Sequence, residues 1–369
     1  MIDKNKSYKD IVGFLNQKYP IYLSEKWDNN GLFIPPDREA VTNIVVTLSL
    51  TESVIEKAIA QKANFIISHH PLTLSGLKTI DSKTREGHLL LRLIKNGIGL
   101  YVAHTNFDCH VEGLNYYIGK AIGLSKMEPL EPINKDTHLK LEFYIPKENE
   151  KTVFQALYSL GAGAFNNYDS CSFASKGFGS FRGLENSSPI GKVGELTIVN
   201  EVKVEMIIPK NKAVEIVETL KRVHPYEEVA YYLHSIIFNE KKNGLGKVGV
   251  LRKAEKLSEF MKRVKAVLGC ESIEMTYPLE DIMIKRVSIC GGSGKHLLPL
   301  AIKRSDIYLT GDLSYHDFEK AAYYKFPLGN IGHFHSERLG LIGWSEMLSR
   351  QLAVAVCFLE EEGMYSTVI

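Results

Sequence analysis

The sequence predicts an α/β protein in which two similar halves built of βα repeats are interrupted by an α+β insertion. Three observations carry this reading. Apolar, β-branched runs alternate with helical periodicities toward both ends of the chain, and the pattern changes character in the middle. The length of 369 residues also exceeds the ~250 at which a single core usually stops growing.

In the N-terminal part, Asn43 to Leu50 (NIVVTLSL) is apolar and β-branched, and Thr51 to Lys62 has helical spacing with Thr51 placed to cap its first turn. A strand at Phe65 to Ser68, a helix over Arg85 to Lys95, a strand at Ile98 to Ala103 and a helix over Leu114 to Ile122 follow. Consecutive βα units of this kind build a largely parallel sheet. The C-terminal part repeats the order, with strands at Arg286 to Cys290, Asp306 to Thr310 and Leu328 to Ile331, each followed by a helical pattern, and a last strand at Val354 to Leu359. From about His138 to Ser235 the order is strand (LKLEFYI), helix (Lys151 to Leu160), a Gly, Ser and Phe rich stretch, strand (VKVEMII), helix (Asn211 to Val223) and strand (VAYYLHSI). This βαβ-βαβ order points to a small ferredoxin-like α+β sandwich. The expected boundaries are 1–130 for the first half, 131–242 for the insertion and 243–369 for the second half. Glu128 to Lys135, with Pro129 and Pro132, and Asn239 to Lys247 read as the linkers.

Charge is nearly balanced, 45 Lys and Arg against 43 Asp and Glu, which gives no basis for a nucleic-acid partner. The start MIDKNKSYKDIVGF is polar and mixed in charge, and no run approaches ~18 apolar residues, so no membrane association and a cytoplasmic location are expected. Five widely spaced cysteines without a C-x-x-C pair read as reduced thiols, not as a thiolate metal site.

In open parallel sheets, ligands collect outside the carboxyl ends of the strands. Here those ends are rich in metal-ligating residue types. The first half offers Ser68-His69-His70-Pro71 and Ala103-His104-Thr105-Asn106-Phe107-Asp108; the second offers Thr310-Gly311-Asp312, with His316 close behind, and Gly332-His333-Phe334-His335-Ser336-Glu337. His104 and Asp108, like His333 and Glu337, form an H-x-x-x-acid pair. Imidazole and carboxylate together suit borderline divalent ions such as zinc, iron, manganese or cobalt, and two such halves face to face could bind two ions. A single histidine at a strand end is ordinarily a hydrogen-bonded structural residue. Five or six His and acidic residues at successive strand ends in both halves argue for a shared site.

Other motifs read as structure. Gly244-Leu-Gly246-Lys-Val-Gly249 matches G-x-G-x-x-G but leads into a strand pattern and reads as linker. Gly291-Gly292-Ser293-Gly294-Lys295 reads as a tight turn, with phosphate binding on its N–H groups as the alternative. His224-Pro225-Tyr226-Glu227-Glu228 reads as a rigid turn, and Cys171 as a packed thiol.

The chain resembles the bacterial family of GTP cyclohydrolase I type 2 homologs, the NGG-one-interacting-factor-three-like proteins. The resemblance spans nearly the whole length through Trp27-Asp28-Asn29-Asn30-Gly31-Leu32, Ser68 to Leu72, Ala103 to Asp108, Gly311 to His316 and Gly332 to Glu337. It implies two divalent metal ions per subunit held by His69, His70, Asp108, His333 and Glu337; in a hydrolase, His104 and His316 read as orienting or proton-transfer residues, since a positioned imidazole can act as acid or base. It also implies a toroidal homohexamer with sites facing an internal cavity. The insertion looks similar to that of the longer members, likened to the PII and CutA trimeric proteins, on Asn167-Tyr168, Cys171 to Phe173 and His224 to Glu228. Asn30 departs from the family, where Val is more usual, and a local change of packing is expected there. The activity implied is metal-dependent hydrolysis of a GTP-like nucleotide, with attack at C8 of the guanine ring and loss of formate. A non-catalytic metal-handling or regulatory protein whose insertion senses a small ligand is the alternative.

Overall fold

The structure is a computed structural model that describes residues 6–133, 138–165, 168–187, 192–236, 243–276 and 282–361. The chain divides into two compact units, residues 1–133 with 241–369 and residues 134–240.

In the first unit, Asn43–Thr47 and Phe65–Ser68 are buried almost throughout, which is why they read as continuous apolar runs and not as alternating ones. They lie parallel, with Val46 opposite Ile67, and Phe65–Ser68 is parallel in turn to Gly99–Val102. Gly31–Ile34 closes that edge antiparallel. The expected last strand exists as Ala355–Phe358, but it completes the sheet of the first half: Ala355 pairs with Asn43 and Phe358 with Val46, in parallel register.

The second sheet runs Glu274–Met275, Leu328–Asn330, Ile307–Thr310, Met283–Ile289, Gly244–Lys256, Leu124–Pro132, and its Met283–Ile289, Ile307–Thr310 and Leu328–Asn330 strands are parallel. Two of its strands correct the sequence reading. Leu124–Pro132 and Gly244–Lys256, read as linkers over Glu128 onward and up to Lys247, form an antiparallel pair with Val248 opposite Glu128. Leu124–Pro132 pairs on one side only, and an edge strand tolerates proline because no ladder donor is needed on its open side. Gly246, at φ 61°, would press a side chain against the Ile289 carbonyl oxygen at 3.0 Å, so its glycine serves close strand packing. Lys135 and 239–242 lie outside the described residues.

Thr51 caps Glu52–Ala60 by accepting from the Val54 amide at 3.2 Å, and Thr84 caps Arg85–Lys95 by accepting from Gly87 at 3.1 Å. Leu114–Ala121 packs against the twenty-residue helix His333–Leu352 so closely that a Cβ on Gly340 would stand 2.5 Å from Leu114 Cδ1. Fully buried Trp344 stacks on Phe107 with ring centroids 4.2 Å apart, and its Nε1–H donates to Tyr19 Oη at 3.0 Å. This aromatic seam ties the helix of His333 and Glu337 to the Thr105–Cys109 helix of Asp108. No described helix is long and apolar enough to cross a membrane.

The second unit is an antiparallel sheet in the order Tyr231–Ser235, His138–Pro146, Leu196–Pro209, Ser172–Arg182. The helices Glu150–Tyr158 and Ala213–Val223 share a core with it through Phe143, Leu157, Val204, Ile216 and Leu220. Alternate residues of Leu196–Pro209 are buried from Val202 to Ile208, the period expected of a half-buried strand. Ser172–Arg182 is an eleven-residue strand where the sequence shows only Gly, Ser and Phe enrichment. It is an edge strand with Phe173 and Phe178 exposed, so no alternation of burial marks it. Cys171 is exposed, not packed, and Asn167 lies outside the described residues.

Candidate metal centre

Each candidate residue stands where a strand ends or a helix begins. The amides of His69 and His70 donate to Thr47 and Leu48 at 3.0 and 2.8 Å, so strand pairing continues through the pair and fixes its direction. His104 leads the Thr105–Cys109 helix and His333 opens His333–Leu352. The H-x-x-x-acid spacing then puts each acid on the same helical face as its histidine.

Nε2 of His69 lies 3.5 Å from Asp108 Oδ1 and 3.7 Å from Glu337 Oε1. Nε2 of His70 and of His333 lie 3.0 and 3.1 Å from Glu337 Oε2, and 3.4 Å from each other. Two overlapping groups result: one ligand atom each of His69, His70 and His104 lie within 4.8 Å of one another, and so do those of His70, His333 and Glu337. His70 belongs to both.

The opposite ring nitrogen of every imidazole is committed elsewhere. Nδ1 of His69 meets the Ala103 carbonyl (2.8 Å), that of His104 meets Asp28 Oδ1 (2.8 Å), that of His333 meets Asp312 Oδ2 (2.7 Å) and that of His70 meets Ser49 Oγ (2.8 Å). Carbonyl and carboxylate partners require Nδ1–H as donor, which leaves the Nε2 lone pairs turned toward the carboxylates. The supports are themselves held. Asp28 accepts from the amide of Thr105 (3.0 Å) and from its hydroxyl, and Glu361 accepts from the amide of Ser49 and the hydroxyl of Thr47. Asn30 joins this network: its Oδ1 accepts from the His104 amide at 2.8 Å and its Nδ2 donates to Asp28 at 2.6 Å. The unusual residue thus braces a site histidine.

Burial works against charging His69, but the carboxylates of Asp108 and Glu337 outweigh it and push the imidazole up to about 9. The Glu337 carboxylate does the same for His333, with help from Asp312. Burial would raise Glu337, yet the imidazoles of His333, His69 and His70 hold its carboxyl well below the usual range, while burial does raise Asp108. The carboxylates thus favour positive charge in the space between them and the imidazoles, the place a cation would take.

His69 Nε2 and Asp108 Oδ1 are buried without a hydrogen-bond partner among the described residues, and buried Glu337 Oε2 faces the imidazole nitrogens of His70 and His333. Buried polar atoms are ordinarily satisfied, and inward-facing imidazole nitrogens set against carboxylates fit divalent ions of the zinc, iron, manganese or cobalt type. Gly292, at φ 62°, gives Glu337 its room, since a Cβ there would come within 2.2 Å of Oε1. In the glycine turn around it, the amides of Gly291, Gly292 and Gly294 donate to Asn115 Oδ1, Ser336 Oγ and Thr310 Oγ1.

The structure does not bring His316 into this group. It stands exposed on Tyr315–Tyr323 with Nδ1 3.2 Å from Glu319. Sequence reasoning gave no role to Asp28, Ser49 or Glu361; only Asp28 carried a signal, its place in Trp27 to Leu32.

The profile of the Duf34/NIF3 (NGG1p interacting factor 3) family matches residues 6–363. A Bacillus subtilis protein named GTP cyclohydrolase 1 type 2 homolog is 36% identical over 333 residues, covering 90% of this chain and 89% of the relative. A Staphylococcus epidermidis protein of the same name is 34% identical over 352 residues, covering 93% of each. Among solved structures, a Bacillus cereus protein related to NIF3 aligns with a TM-score of 0.72 at 31% identity, covering 99% of this chain and 98% of that one.

Proposed function

The chain belongs to the Duf34/NIF3 family, and from that premise we propose that it is a dinuclear divalent-metal hydrolase acting on a small nucleotide-like substrate. The observation that carries the reading is the pair of overlapping ligand groups sharing His70, set beside the buried carboxylates of Asp108 and Glu337. His69, His70, Asp108, His333 and Glu337 would hold the ions, and His104 completes the group on the side of His69. When bound, the ions supply Lewis acidity and make water acidic enough to serve as a nucleophile near neutral pH. The protein's own part is to fix directions and move protons. Asp28 holds the His104 ring so that its Nε2 faces the centre, where it can take a proton from the nucleophile and return it to the leaving group. His316 stands exposed outside the group, beside Glu319, and we assign it no step. The imidazoles of His333, His69 and His70 keep Glu337 ionised against its burial, and that burial excludes water from its side.

The relatives' printed name supplies the first substrate class to try, a purine nucleotide opened at its imidazole ring. The finer reading of the fold belongs here too. Related halves are supported by the three parallel strands at the centre of each sheet, and a ferredoxin-like second unit by its order of fourth, first, third and second strand. A homohexamer is the assembly we expect, and light scattering checks it.

The test is to count metals in protein purified without added ions and to assay formate release from GTP, alongside other phosphoesters and cyclic amides, with and without chelator. Two divalent ions per chain and chelator-sensitive turnover are expected, both lost in a His69→Ala, Asp108→Ala double variant. Turnover that persists unchanged in that variant sinks the proposal.

A further inference from the structure

The second unit carries a cavity that the metal reading does not use. A groove of about 650 Å³ lies between the end of Ser172–Arg182, the loop after it and the His224 to Glu228 turn. The turn is built from its histidine upward. Buried His224 donates Nε2–H to the Tyr144 carbonyl at 2.8 Å and accepts the Tyr226 amide on Nδ1 at 3.1 Å, which uses both ring nitrogens of one neutral tautomer. The next residues, Pro225 to Glu228, then line the groove.

Its floor is equally specific. Tyr226 packs edge-on against Phe181 with centroids 5.8 Å apart, and its hydroxyl donates to Glu201 Oε1 at 2.6 Å. The Glu201 carboxylate lies over Gly179, where a Cβ would come within 2.1 Å of Oε2, so any side chain at 179 would displace it. Burial and the neighbouring Glu201 hold the Tyr226 phenol in its protonated, donating form. One face of the carboxylate is thus fixed and the groove lies open beside it.

Aromatic walls from Tyr144, Phe181 and Tyr226 meet the carboxylates of Glu185, Glu201 and Glu228, and Arg182 is the one basic side chain among the described lining residues. An anion is repelled here. A metal ion lacks a shell, because among the described residues no three candidate ligand atoms of this unit lie within 4.8 Å of one another. A cation with an apolar body gains from both kinds of surface, carboxylates for its charge and ring faces for its stem. We propose that this groove binds a small organic cation, a protonated amine or guanidinium on an apolar stem, seated against Glu201 with Tyr226 and Phe181 as its wall. The site stands apart from the hydrolase reading and does not depend on it.

Calorimetric titration of the full chain with tyramine, agmatine and spermidine tests it, with 4-hydroxyphenylacetate as the anionic probe and Mn²⁺ alone as the metal probe. At least one amine should saturate a single site per chain that 4-hydroxyphenylacetate does not occupy. Glu201→Gln and Glu228→Gln should each weaken it about fivefold or more. Glu228 is exposed, so its variant keeps the fold even if Glu201→Gln lowers the melting temperature. The proposal is overturned by absence of saturable binding for all three amines, by equal binding of 4-hydroxyphenylacetate, by amine affinity unchanged in both variants, or by Mn²⁺ displacing the bound amine.

Discussion

Behind His104 stands Asp28, whose side chain is fully buried at 0% exposure, whereas behind His333 stands Asp312, 48% exposed and at φ 53°. The histidines follow suit, 16% exposed in the first arm and 37% in the second. The carriers differ as well, a five-residue helix in one case and a twenty-residue helix in the other. Equal H-x-x-x-acid spacing therefore does not give equal arms: Glu337 meets its own histidine, His333, at 3.1 Å, whereas Asp108 meets His69 at 3.5 Å, and the support behind each histidine differs. Spacing decides which atoms can meet, and burial of the group behind them decides how firmly they are held.

The largest effect should come from the seam that joins the arms. Trp344→Ala removes the ring stacked on Phe107 and should cost about 3–5 kcal/mol by chemical denaturation, loosening both arms together. Metal affinity unchanged in that variant would mean that the arms do not share a support. Glu337→Gln comes next. It removes the carboxylate that three imidazoles face, so metal affinity measured by competition with a chelating dye should fall more than about 100-fold.

Lys247 sharpens the contrast from beneath the first arm, where its charge acts on Cys109 and His110. It is 1% exposed, its ammonium has no acceptor among the described residues, and burial pushes it down to about 8. The unfolded chain keeps that proton up to about 10.5, so the stability cost is complete below pH 8 and fades as pH rises toward 10.5. Lys247→Met should raise the unfolding free energy by roughly 3 kcal/mol at pH 7, with the gap from wild type closing between pH 8 and 10.5. A pH-independent gap would place the cost elsewhere.

The smallest effects bear on the comparison itself. Asp28→Asn should weaken metal binding about 10- to 100-fold, the range for a buried group that orients a ligand, while Asp312→Asn, facing solvent, should weaken it less than about tenfold. Equal losses, or the reverse order, would refute the link between burial and support.

The strands of the parallel cores were legible because burial on both faces leaves an unbroken apolar run, as in Phe65–Ser68, and Thr51 and Thr84 show why helix starts can be read from one side chain. What sequence could not give was pairing across long separations. Nothing in Val354 to Leu359 says that its partner is Asn43–Thr47, and prolines and glycines hid two strands whose tolerance for them depends on an edge or a close neighbour. At the centre, residue types and strand-end positions pointed to His69, His70, His104, His333 and Glu337, which the structure gathers in two groups, and to Asp108, 3.5 Å from His69. The groups that orient them, Asp28, Ser49 and Glu361, are far away in sequence and were invisible to spacing.

The Ala355–Phe358 strand and Glu361 also have a consequence in time. Glu361 grips the Ser49 amide across 312 residues, and Ser49 in turn meets His70. As the chain leaves the ribosome, Asn43–Thr47 presents an unpaired strand edge for as long as the intervening residues take to be made, roughly 15–60 s at ~5–20 residues per second. A centre stitched from such distant segments is incomplete until His333, Glu337 and Glu361 have all been made. Until then the waiting edge is the place where a nascent chain is most open to chaperones or to mispairing with its neighbours.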